Sequence, residues 1–426
     1  MDFEHGDATV RRMRTGFCIL WLVLLVGVTE MLAVGGRPDP LGLGQALDGP
    51  WRFHAGDDAR WADPAADDRS WDRIFLVSRP DVRDSDVGIP GLLDGWHAHG
   101  HPDLEGYGWY RRQVILPSQG DLVLLGPPLA DDGYEMFWNG HPVGGVGLLP
   151  GPKVTGTRPF IARLPAPNGQ RTGLLAIRAF MQPGLGRDGQ SGGLRTVPML
   201  ASRANGEALH RAQWRRTIAG YIVEAAEPAA MLVLAVMAAF AAPRLARPAF
   251  ARCTAFALVA IGALRLGNAV IAWTDLLTLP NLLWQNAVIV GPLAKLGWTI
   301  AWNQWAAGRS RRFVSATALV AWILVIAGAL AQNDMLAGAG RAVFALALAA
   351  IALRIGRHGE QRWLALAAMA LTAIGLFASD LSALGVPGIW FPFNIGVSRS
   401  QYAWALALPL LAFCLFSDRN QRSDPQ

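Results

Sequence analysis

Aromatic and acidic side chains cluster between residues 94 and 110, in a pattern suited to binding a sugar. Aromatic rings give a sugar ring a flat face to stack on, and carboxylates accept hydrogen bonds from its hydroxyl groups. The predicted ligand-binding residues are three aromatics and three acids: Trp96, Tyr107, Trp109, Asp94, Asp103 and Glu105. The alternative is that the rings fill a protein core. Because neighbours on a strand face opposite ways, at most one of Trp109 and Tyr110 can reach a ligand.

Three histidines in the same stretch have a spacing that suits a metal site. On a strand, His97, His99 and His101 would share one face, an arrangement in which imidazoles bind zinc or copper. The stretch is rich in glycine and ends at Pro102, however, which favours a solvated loop. We therefore predict neither a bound metal nor another cofactor. If a metal does bind, these three histidines are its candidate ligands.

Ionisable residues also lie within long apolar segments, where an unpaired charge is costly. They are Glu224, Glu227, Arg265, Lys295, Arg341 and Asp380. Counting about 1.5 Å per residue from the predicted helix ends places Glu224, Glu227 and Arg265 at similar depths, so we predict that they pair. Arg341 and Asp380 fall near the same face, whereas the lysine lies deeper and has no evident partner. This polar layer either couples ligand binding to the helices or simply holds them together.

No catalytic set accompanies these residues. The sequence lacks phosphate-binding loops and kinase or nucleotide-cyclase motifs, and no pair of carboxylates stands out as a glycosidase requires. We therefore predict a non-enzymatic protein.

The elements that must position these residues divide the chain in two. Of the 426 residues, 52% are hydrophobic and only 16% are charged, which is too apolar for an ordinary soluble protein. Residues 37–216 are rich in Gly, Pro, Asp and Trp, whereas residues 217–416 are rich in Ala and Leu. Runs of about 20 apolar residues predict a bundle of seven transmembrane helices. The predicted helices are residues 218–242, 250–273, 282–305, 313–331, 336–355, 363–384 and 401–416.

The net charge of +6 comes from arginine clusters between the apolar runs, which predicts membrane topology and not a nucleic-acid partner. If the N-terminus is cytoplasmic, nearly all clusters between the helices fall on the cytoplasmic side. We therefore predict a multi-pass protein of a bacterial inner membrane. Both termini are cytoplasmic if the first hydrophobic segment, residues 16–34, is an uncleaved anchor and not a cleaved signal peptide.

The predicted organisation has five parts. They are a cytoplasmic tail with the signal anchor or signal peptide (1–36), a periplasmic β-domain (37–205), a juxtamembrane linker (206–217), the seven-helix domain (218–416) and a short cytoplasmic tail (417–426). The cysteines, Cys18, Cys253 and Cys414, all lie in predicted membrane segments. A hydrophobic core must therefore hold the β-domain together without a disulfide.

Within the β-domain, short apolar runs alternate with turn signals, as is typical of strands. The clearest strand is 134–138, because the Asn139-Gly140 pair that follows it suits the positive φ angles of a tight hairpin turn. Further strands are predicted at 109–116, 121–126 and 174–180. A β-sandwich is the natural closure of such strands.

Several motifs of the β-domain are also ordered as in a known family. They are Trp51-Arg52-Phe53, Gly56-Asp57, Trp61, Asp67 to Trp71, Gly106 to Arg111, Asp131 to Gly140 with Val143-Gly144, and Leu175 to Arg178. Over residues 48–200 they resemble the N-terminal sugar-binding jelly roll of family 2 glycoside hydrolases. The resemblance implies a galactose-binding-like jelly-roll sandwich. In those enzymes a catalytic barrel follows the jelly roll, whereas membrane helices follow it here.

Joined to seven helices, this domain is similar to the bacterial seven-transmembrane receptors with diverse intracellular signalling modules. Those receptors usually continue into a histidine kinase, nucleotide cyclase or phosphatase domain, whereas residues 417–426 are too few for one. The resemblance therefore implies a sensor or receptor subunit that binds a periplasmic carbohydrate or related small ligand. It would signal through the bundle to a separate cytoplasmic or membrane partner. The alternative is a transporter or an accessory subunit of an envelope-polysaccharide system.

Overall fold

In the computed structural model, the chain forms an N-terminal helix, a β-sandwich and a series of further helices. The structure describes residues 2–39, 42–85, 87–117, 120–147, 157–164, 172–183, 191–274, 276–277, 286–306, 311–357 and 362–416. The predicted C-terminal tail and the first residues of the third predicted transmembrane helix, 282–285, lie outside this range.

The helices are numbered here in chain order among the described residues. They are α1 (Asp2–Gly35), α2 (Arg203–Tyr221), α3 (Val223–Ala241), α4 (Pro248–Trp273), α5 (Gly291–Ala306), α6 (Arg311–Leu330), α7 (Asp334–Arg357), α8 (Arg362–Leu376), α9 (Ala378–Ala383) and α10 (Arg399–Leu415). A π-helical turn, Asn286–Val290, leads into α5.

The strands are likewise numbered in chain order. They are β1 (Gln45–Ala46), β2 (Gly49–Ala55), β3 (Asp72–Leu76), β4 (Arg79–Arg83), β5 (Pro90–Leu92), β6 (Gly106–Ile115), β7 (Leu122–Leu125), β8 (Gly133–Trp138), β9 (His141–Val146), β10 (Ile161–Arg163), β11 (Thr172–Met181), β12 (Met199–Ser202), β13 (Ile389–Trp390) and β14 (Val397–Ser398). One antiparallel sheet has the order β3-β2-β6-β11-β8-β9, and a second has the order β1-β12-β7-β10. The four strands predicted from the sequence are confirmed as β6, β7, β8 and β11.

Side chains from both sheets fill one core, which makes this part of the chain a β-sandwich. The six-stranded sheet contributes Trp51, Phe53 and Tyr110, and the four-stranded sheet contributes Leu122 and Leu124. Alternate residues of β7 point the other way, as the pleat of a strand requires. The predicted sandwich is therefore confirmed at the level of two packed sheets.

The hairpin between β8 and β9 confirms the turn predicted from the Asn-Gly pair. Asn139 has a φ of 49° and Gly140 a φ of 84°, and Trp138 pairs with His141 across the turn. Positive φ at both central positions gives the turn the twist of the flanking strands. The turn sets the register of the first pairs of this hairpin, and the register shifts between Phe137 and Met136.

Helix α2 covers the outer face of the four-stranded sheet and includes residues 206–217, the predicted juxtamembrane linker. Those residues are helical, and Leu209 packs with Val123, Leu125 and Ala201. The side chain of Ser202 caps the helix by accepting from the N–H of Asn205. The sequence of α2 is polar on average, so its apolar contacts were hidden among arginines. The helix ends at Tyr221, one residue before the start of α3.

This packing predicts where the β-domain can be separated from the helices. A fragment of residues 40–216 should be soluble and should unfold cooperatively. A fragment of residues 40–205 should be less stable by about 2 kcal/mol or more, because burial of Leu209 alone is worth roughly 1.5–3 kcal/mol. Urea unfolding followed by tryptophan fluorescence measures the difference. Leu209→Ser in the longer fragment should reproduce the loss, and equal stability of the two fragments would contradict the assignment of α2 to the domain.

Among the described residues, five helical segments are long and apolar enough to cross a membrane, so the chain is a multi-pass membrane protein. They are Ala8–Gly35, Arg203–Arg244, Pro248–Trp273, Arg311–Leu330 and Asp334–Arg357. The apolar helix α8 is shorter, and α5 and α10 have 16 and 17 residues. The predicted helix 363–384 is divided, because α8 ends at Leu376 and α9 starts at Ala378. The predicted count of seven is therefore not confirmed, although helices occupy each predicted segment.

Candidate functional site

Trp96, predicted to stack on a sugar, lies instead in the core of the sandwich. The side chain is 0% exposed and packs against Phe53, with ring centroids 5.8 Å apart. The indole Nε1–H donates to the Tyr110 hydroxyl at 2.6 Å. A ring enclosed on both faces offers no surface to a ligand, so the alternative of a core role holds for Trp96.

Trp109 is also 0% exposed, but on the opposite face of the six-stranded sheet. It stacks on Phe137 with centroids 5.4 Å apart, and its Nε1–H donates to Asp57 at 3.2 Å. Tyr110 points into the core between the sheets. The prediction that Trp109 and Tyr110 face opposite sides is confirmed, and neither ring presents an open face.

The other four predicted ligand contacts lie nearer the surface. Tyr107 is half-buried, and Asp103 and Glu105 are exposed. Asp94 forms an ion pair with Arg79 at 2.9 Å. The structure does not bring all six predicted residues to one place, because Trp96 and Trp109 are enclosed on opposite faces of one sheet. A ligand-binding role for the four surface residues stays a prediction.

A polar cluster beside Tyr107 was missed from the sequence. The guanidinium of Arg178 lies over the Tyr107 ring, 4.3 Å from its centroid, and bonds Asp57 through Nε at 2.7 Å. Glu135 lies 3.7 Å from Arg178. The hydrogen bond with Asp57 raises the pKa of Arg178, which keeps the guanidinium charged. Charged and aromatic groups on an outer sheet face suit a polyhydroxyl ligand. In β11, Arg178 interrupts a run of buried residues. This break in the apolar pattern was the signal in the sequence that could have indicated the cluster.

The three histidines do not share a strand face. His97 and His99 belong to a 3-10 turn, Trp96–His99, and His101 follows it. His101 lies 3.2 Å from Asp72, and its ring packs on Phe53. Among the described residues, no group of three or more histidine, cysteine or acidic side chains could hold a metal ion.

The stability of the β-domain should depend on pH because of one acidic residue, Asp132. Burial raises the pKa of Asp132 from 3.8 to about 6, although its carboxylate accepts from the N–H of Gln182. The folded state therefore binds the Asp132 proton more tightly than the unfolded state does. The stability that this proton contributes is present below about pH 4 and is lost as the pH rises to about 6. Asp132→Asn should stabilise the 40–216 fragment by roughly 2 kcal/mol at pH 7.5. Asparagine tolerates the residue's positive φ of 78°.

Urea unfolding of the Asp132→Asn fragment at pH 4 and pH 7.5 measures this effect. The advantage of the variant should largely disappear at pH 4, where the native carboxyl is also neutral. Asp103→Asn, at an exposed position, serves as the control and should change the stability little at either pH. An advantage of equal size at both pH values would show that titration of Asp132 is not its cause.

One loop of the β-domain packs directly against the helices; it is formed by Asp84, Ser85, Val87 and Gly88 and is called here the junction loop. Val87 is 0% exposed and packs with Tyr221, Ala269 and Ala272 of α2 and α4. Asp84 holds the loop by accepting from the N–H of Val87 at 2.7 Å. The carbonyl of Gly88 accepts from Arg216 Nη1 at 3.3 Å.

Two glycines allow this close approach. Gly88 has a φ of +70°, and a Cβ atom there would overlap the carbonyl oxygen of Asn394, which lies between β13 and β14. A Cβ atom at Gly220 of α2 would overlap Cγ1 of Val87. The junction loop is therefore in backbone-level contact with both α2 and the β13–β14 hairpin, and a shift of the loop must move its neighbours.

Directly next to this contact, the structure brings Glu224, Glu227 and Arg265 together. Arg265 Nη2 lies 2.9 Å from Glu224 Oε1, and its Nη1 lies 2.7 Å from Glu227 Oε2. Glu227 is 2% exposed and Arg265 is 6% exposed. The pairing predicted from their matched depths is confirmed, whereas a coupling role stays a prediction. Two carboxylates thus face one guanidinium, and Glu227 and Arg265 are both buried.

Gln401 of α10 connects this ionic cluster to the hairpin, a link that the sequence did not predict. Its Nε2–H donates to Glu224 Oε1 at 2.8 Å, and its Oε1 accepts from the N–H of Ser398 at 2.6 Å. Ser398 ends β14 and caps α10 in return. One side chain thus bonds both the helix start and the ionic cluster.

A cavity of about 340 Å³ lies at this junction and is called here the junction cavity. It lies between the junction loop, the ends of α2 and α4, and the β13–β14 hairpin. Its polar lining comes from Ser85, Tyr221, Glu224, Asn268, Ser398 and Gln401. These groups can donate and accept hydrogen bonds, so the cavity suits a small polar ligand or ordered water.

The second predicted pair also forms. Arg341 Nε of α7 lies 2.7 Å from Asp380 Oδ1 of α9, and both side chains are about one-third exposed. Lys295 of α5 lines the same cavity as Arg341 but is bonded to neither member of this pair, and its ammonium lies 5.6 Å from the centroid of the Phe377 ring. The predicted polar layer therefore consists of two separate ion-paired groups and one lysine.

No protein-family profile and no curated protein sequence matches this chain. Similar solved structures include the β-glucuronidase of Bacteroides uniformis, with 23% identity over 37% of this chain and 17% of that chain, at a TM-score of 0.26. A family 2 glycosyl hydrolase of Bacteroides cellulosilyticus has 21% identity over 37% and 20%, at a TM-score of 0.27. The β-glucuronidase of Faecalibacterium prausnitzii has 20% identity over 39% and 33%, at 0.26. The chain thus spans one third or less of the length of these enzymes.

Proposed function

We propose that this protein is a non-enzymatic sensor or receptor subunit of a bacterial inner membrane. Its β-domain binds a carbohydrate-like ligand, and the helices pass the bound state to a separate output protein. The observation that carries this proposal is the junction loop, because Val87 is enclosed by helices on the side where the ionic cluster lies. A binding domain that only held a ligand would not need to insert a residue among membrane helices.

The contacts provide a physical route for coupling. A displacement of the junction loop acts on the β13–β14 hairpin through Gly88 and Asn394. The hairpin continues into Ser398 and Gln401, and Gln401 holds Glu224. The ionic cluster joins α3, α4 and α10, so a change in its bonding alters how these helices pack. Such coupling requires that the ligand binds two arrangements of the helices with different affinity.

Full-length protein in nanodiscs provides the test. A glycan array should first identify a bound glycan, and hydrogen–deuterium exchange should then show slower exchange in the hairpin and in α3 when that glycan binds. Gly220→Leu, which displaces Val87, should keep glycan binding but remove the change in the helices. Gly27→Leu is the matched control, because a Cβ atom there meets no other atom within 4 Å.

The same experiment distinguishes the alternative, a transporter or accessory subunit of an envelope-polysaccharide system. Such a protein would use the β-domain to hold glycan near the membrane. If the bound glycan slows exchange in the β-domain alone, the sensor proposal fails and the accessory role is favoured. No glycan binding at all would remove the carbohydrate from both proposals.

The proposed orientation places residues 37–216 in the periplasm and both termini in the cytoplasm, on the basis of the arginine distribution. Alkaline phosphatase fused after Arg216 should be active, and the same enzyme fused after Gln426 should be inactive. Green fluorescent protein at the C-terminus should give the opposite result and fluoresce. An active phosphatase at the C-terminus would overturn this orientation.

A further inference from the structure

Lys295 is an enclosed basic residue that forms no ion pair with any residue in the described part of the chain. Its ammonium faces the ring of Phe377 at 5.6 Å, and it takes part in no hydrogen bond or ion pair among the described residues. Asp380, whose charge acts on Lys295, is already paired with Arg341 at 2.7 Å. An enclosed cation without a partner is destabilising among membrane helices, and such residues usually serve a function.

A cavity of about 680 Å³ adjoins this lysine and is separate from the junction cavity. It lies at the end of the helices next to the β-domain, between α5, the end of α6 and the start of α7, and Pro183 of the β-domain also reaches it. Its polar lining comes from Asn286, Lys295, Gln332, Asp334 and Arg341. The volume is within the usual range of sites for small molecules, about 300–1,000 Å³.

The charges around this cavity favour an anion. Lys295 and Arg341 are cationic, and Asp380 balances one of these two charges. Asp334 contributes a carboxylate, but it is exposed in the first turn of α7, where solvent screens it. Lys295 is therefore the cationic group of this lining that no carboxylate of the described residues bonds, and the amide of Asn286 lies on the same cavity.

The π-helical turn before α5 also contributes to this cavity. Asn286 and Ala287 reach the cavity from the π-helical turn that precedes α5. A π-helical turn widens a helix by one residue and is frequent at functional sites. Lys295 follows on the same helix and is largely enclosed by protein.

We propose that this cavity binds a small ligand through an oxyanion, and that Lys295 and Arg341 are its cationic contacts. The oxyanion belongs either to a soluble phosphate-bearing molecule or to the headgroup of an anionic lipid. The site does not depend on the proposed sensor function, because it uses none of the residues of the junction cavity.

Chemical labelling can test this directly, because the chain contains only two lysines, Lys153 and Lys295. Full-length protein in phosphatidylcholine nanodiscs is acetylated with an amine-reactive ester, and both sites are quantified by mass spectrometry. Glycerol 3-phosphate should slow acetylation of Lys295 at least fivefold, whereas glycerol should have no effect. Lys153 serves as the internal reference. Protection in nanodiscs that contain phosphatidylglycerol, without soluble anion, would identify a lipid headgroup as the source.

If Lys295 is acetylated too slowly to be quantified, a measurement of thermal stability tests the proposal instead. Glycerol 3-phosphate or phosphatidylglycerol should raise the unfolding temperature of the native protein and of Lys295→Arg, but not that of Lys295→Met. Arg357→Met, which removes an exposed charge at the other end of α7, should keep the rise. The proposal is overturned if neither anion protects the native protein, or if Lys295→Met responds as the native protein does.

Discussion

Replacing Arg265 with methionine is expected to lower the unfolding temperature of the purified full-length protein more than any other single change in the ionic cluster. The substitution leaves Glu224 and Glu227 without their cation, and Glu227 is 2% exposed. Breaking a buried ion pair by removing one partner typically costs about 3–5 kcal/mol. Arg252→Met is the matched control, since Arg252 lies on the same helix but is exposed, and it should change the unfolding temperature little.

A double-mutant cycle separates this interaction from general damage to α4. Arg265→Met and Glu224→Gln should together cost less than the sum of their separate effects, by about 0.6–2 kcal/mol for a polar pair between membrane helices. Arg265→Glu combined with Glu224→Arg should recover part of the loss of either single change. Additive effects, both with Glu224 and with Glu227, would contradict direct pairing in the membrane.

Replacing Trp96 with alanine is expected to destabilise the 40–216 fragment by about 3–5 kcal/mol, enough to remove most of the stability of a domain of this size. The ring fills the centre of the sandwich, and its loss also leaves the Tyr110 hydroxyl without its 2.6 Å donor. Trp96→Phe should cost less, because it keeps most of the ring volume and loses mainly one hydrogen bond. Urea unfolding measures the three proteins.

Surface variants show whether Trp96 acts only through the fold. Asp103→Ala and Glu105→Ala, at exposed positions, should change stability by no more than about 0.5 kcal/mol. If either of them weakens glycan binding, the loss reflects contact with the ligand. A Trp96→Ala fragment that stayed as stable as the native one would overturn the assignment of Trp96 to the core.

Local signals in the sequence determined several elements and one ion-paired site of this protein. Asn139 and Gly140 specify their turn through backbone preferences that act over four residues. Long apolar runs specify membrane helices because lipid requires every backbone group to be paired within the helix. The pairing of Arg265 with Glu224 and Glu227 could also be predicted, since rise per residue and the cost of a bare charge in lipid place them at one depth.

Only the tertiary structure decided which surfaces these elements share. A sequence shows that Trp96 is aromatic, but whether its ring is enclosed depends on Phe53 and Tyr110, which strands β2 and β6 supply. Gln401 reaches Glu224 from 177 positions away, and no periodicity encodes a contact of that separation. Val87 looks like an ordinary loop residue, and it becomes the link to the helices only because Gly220 leaves room for it. Burial and partnership depend on packing between distant segments, which local preferences do not determine.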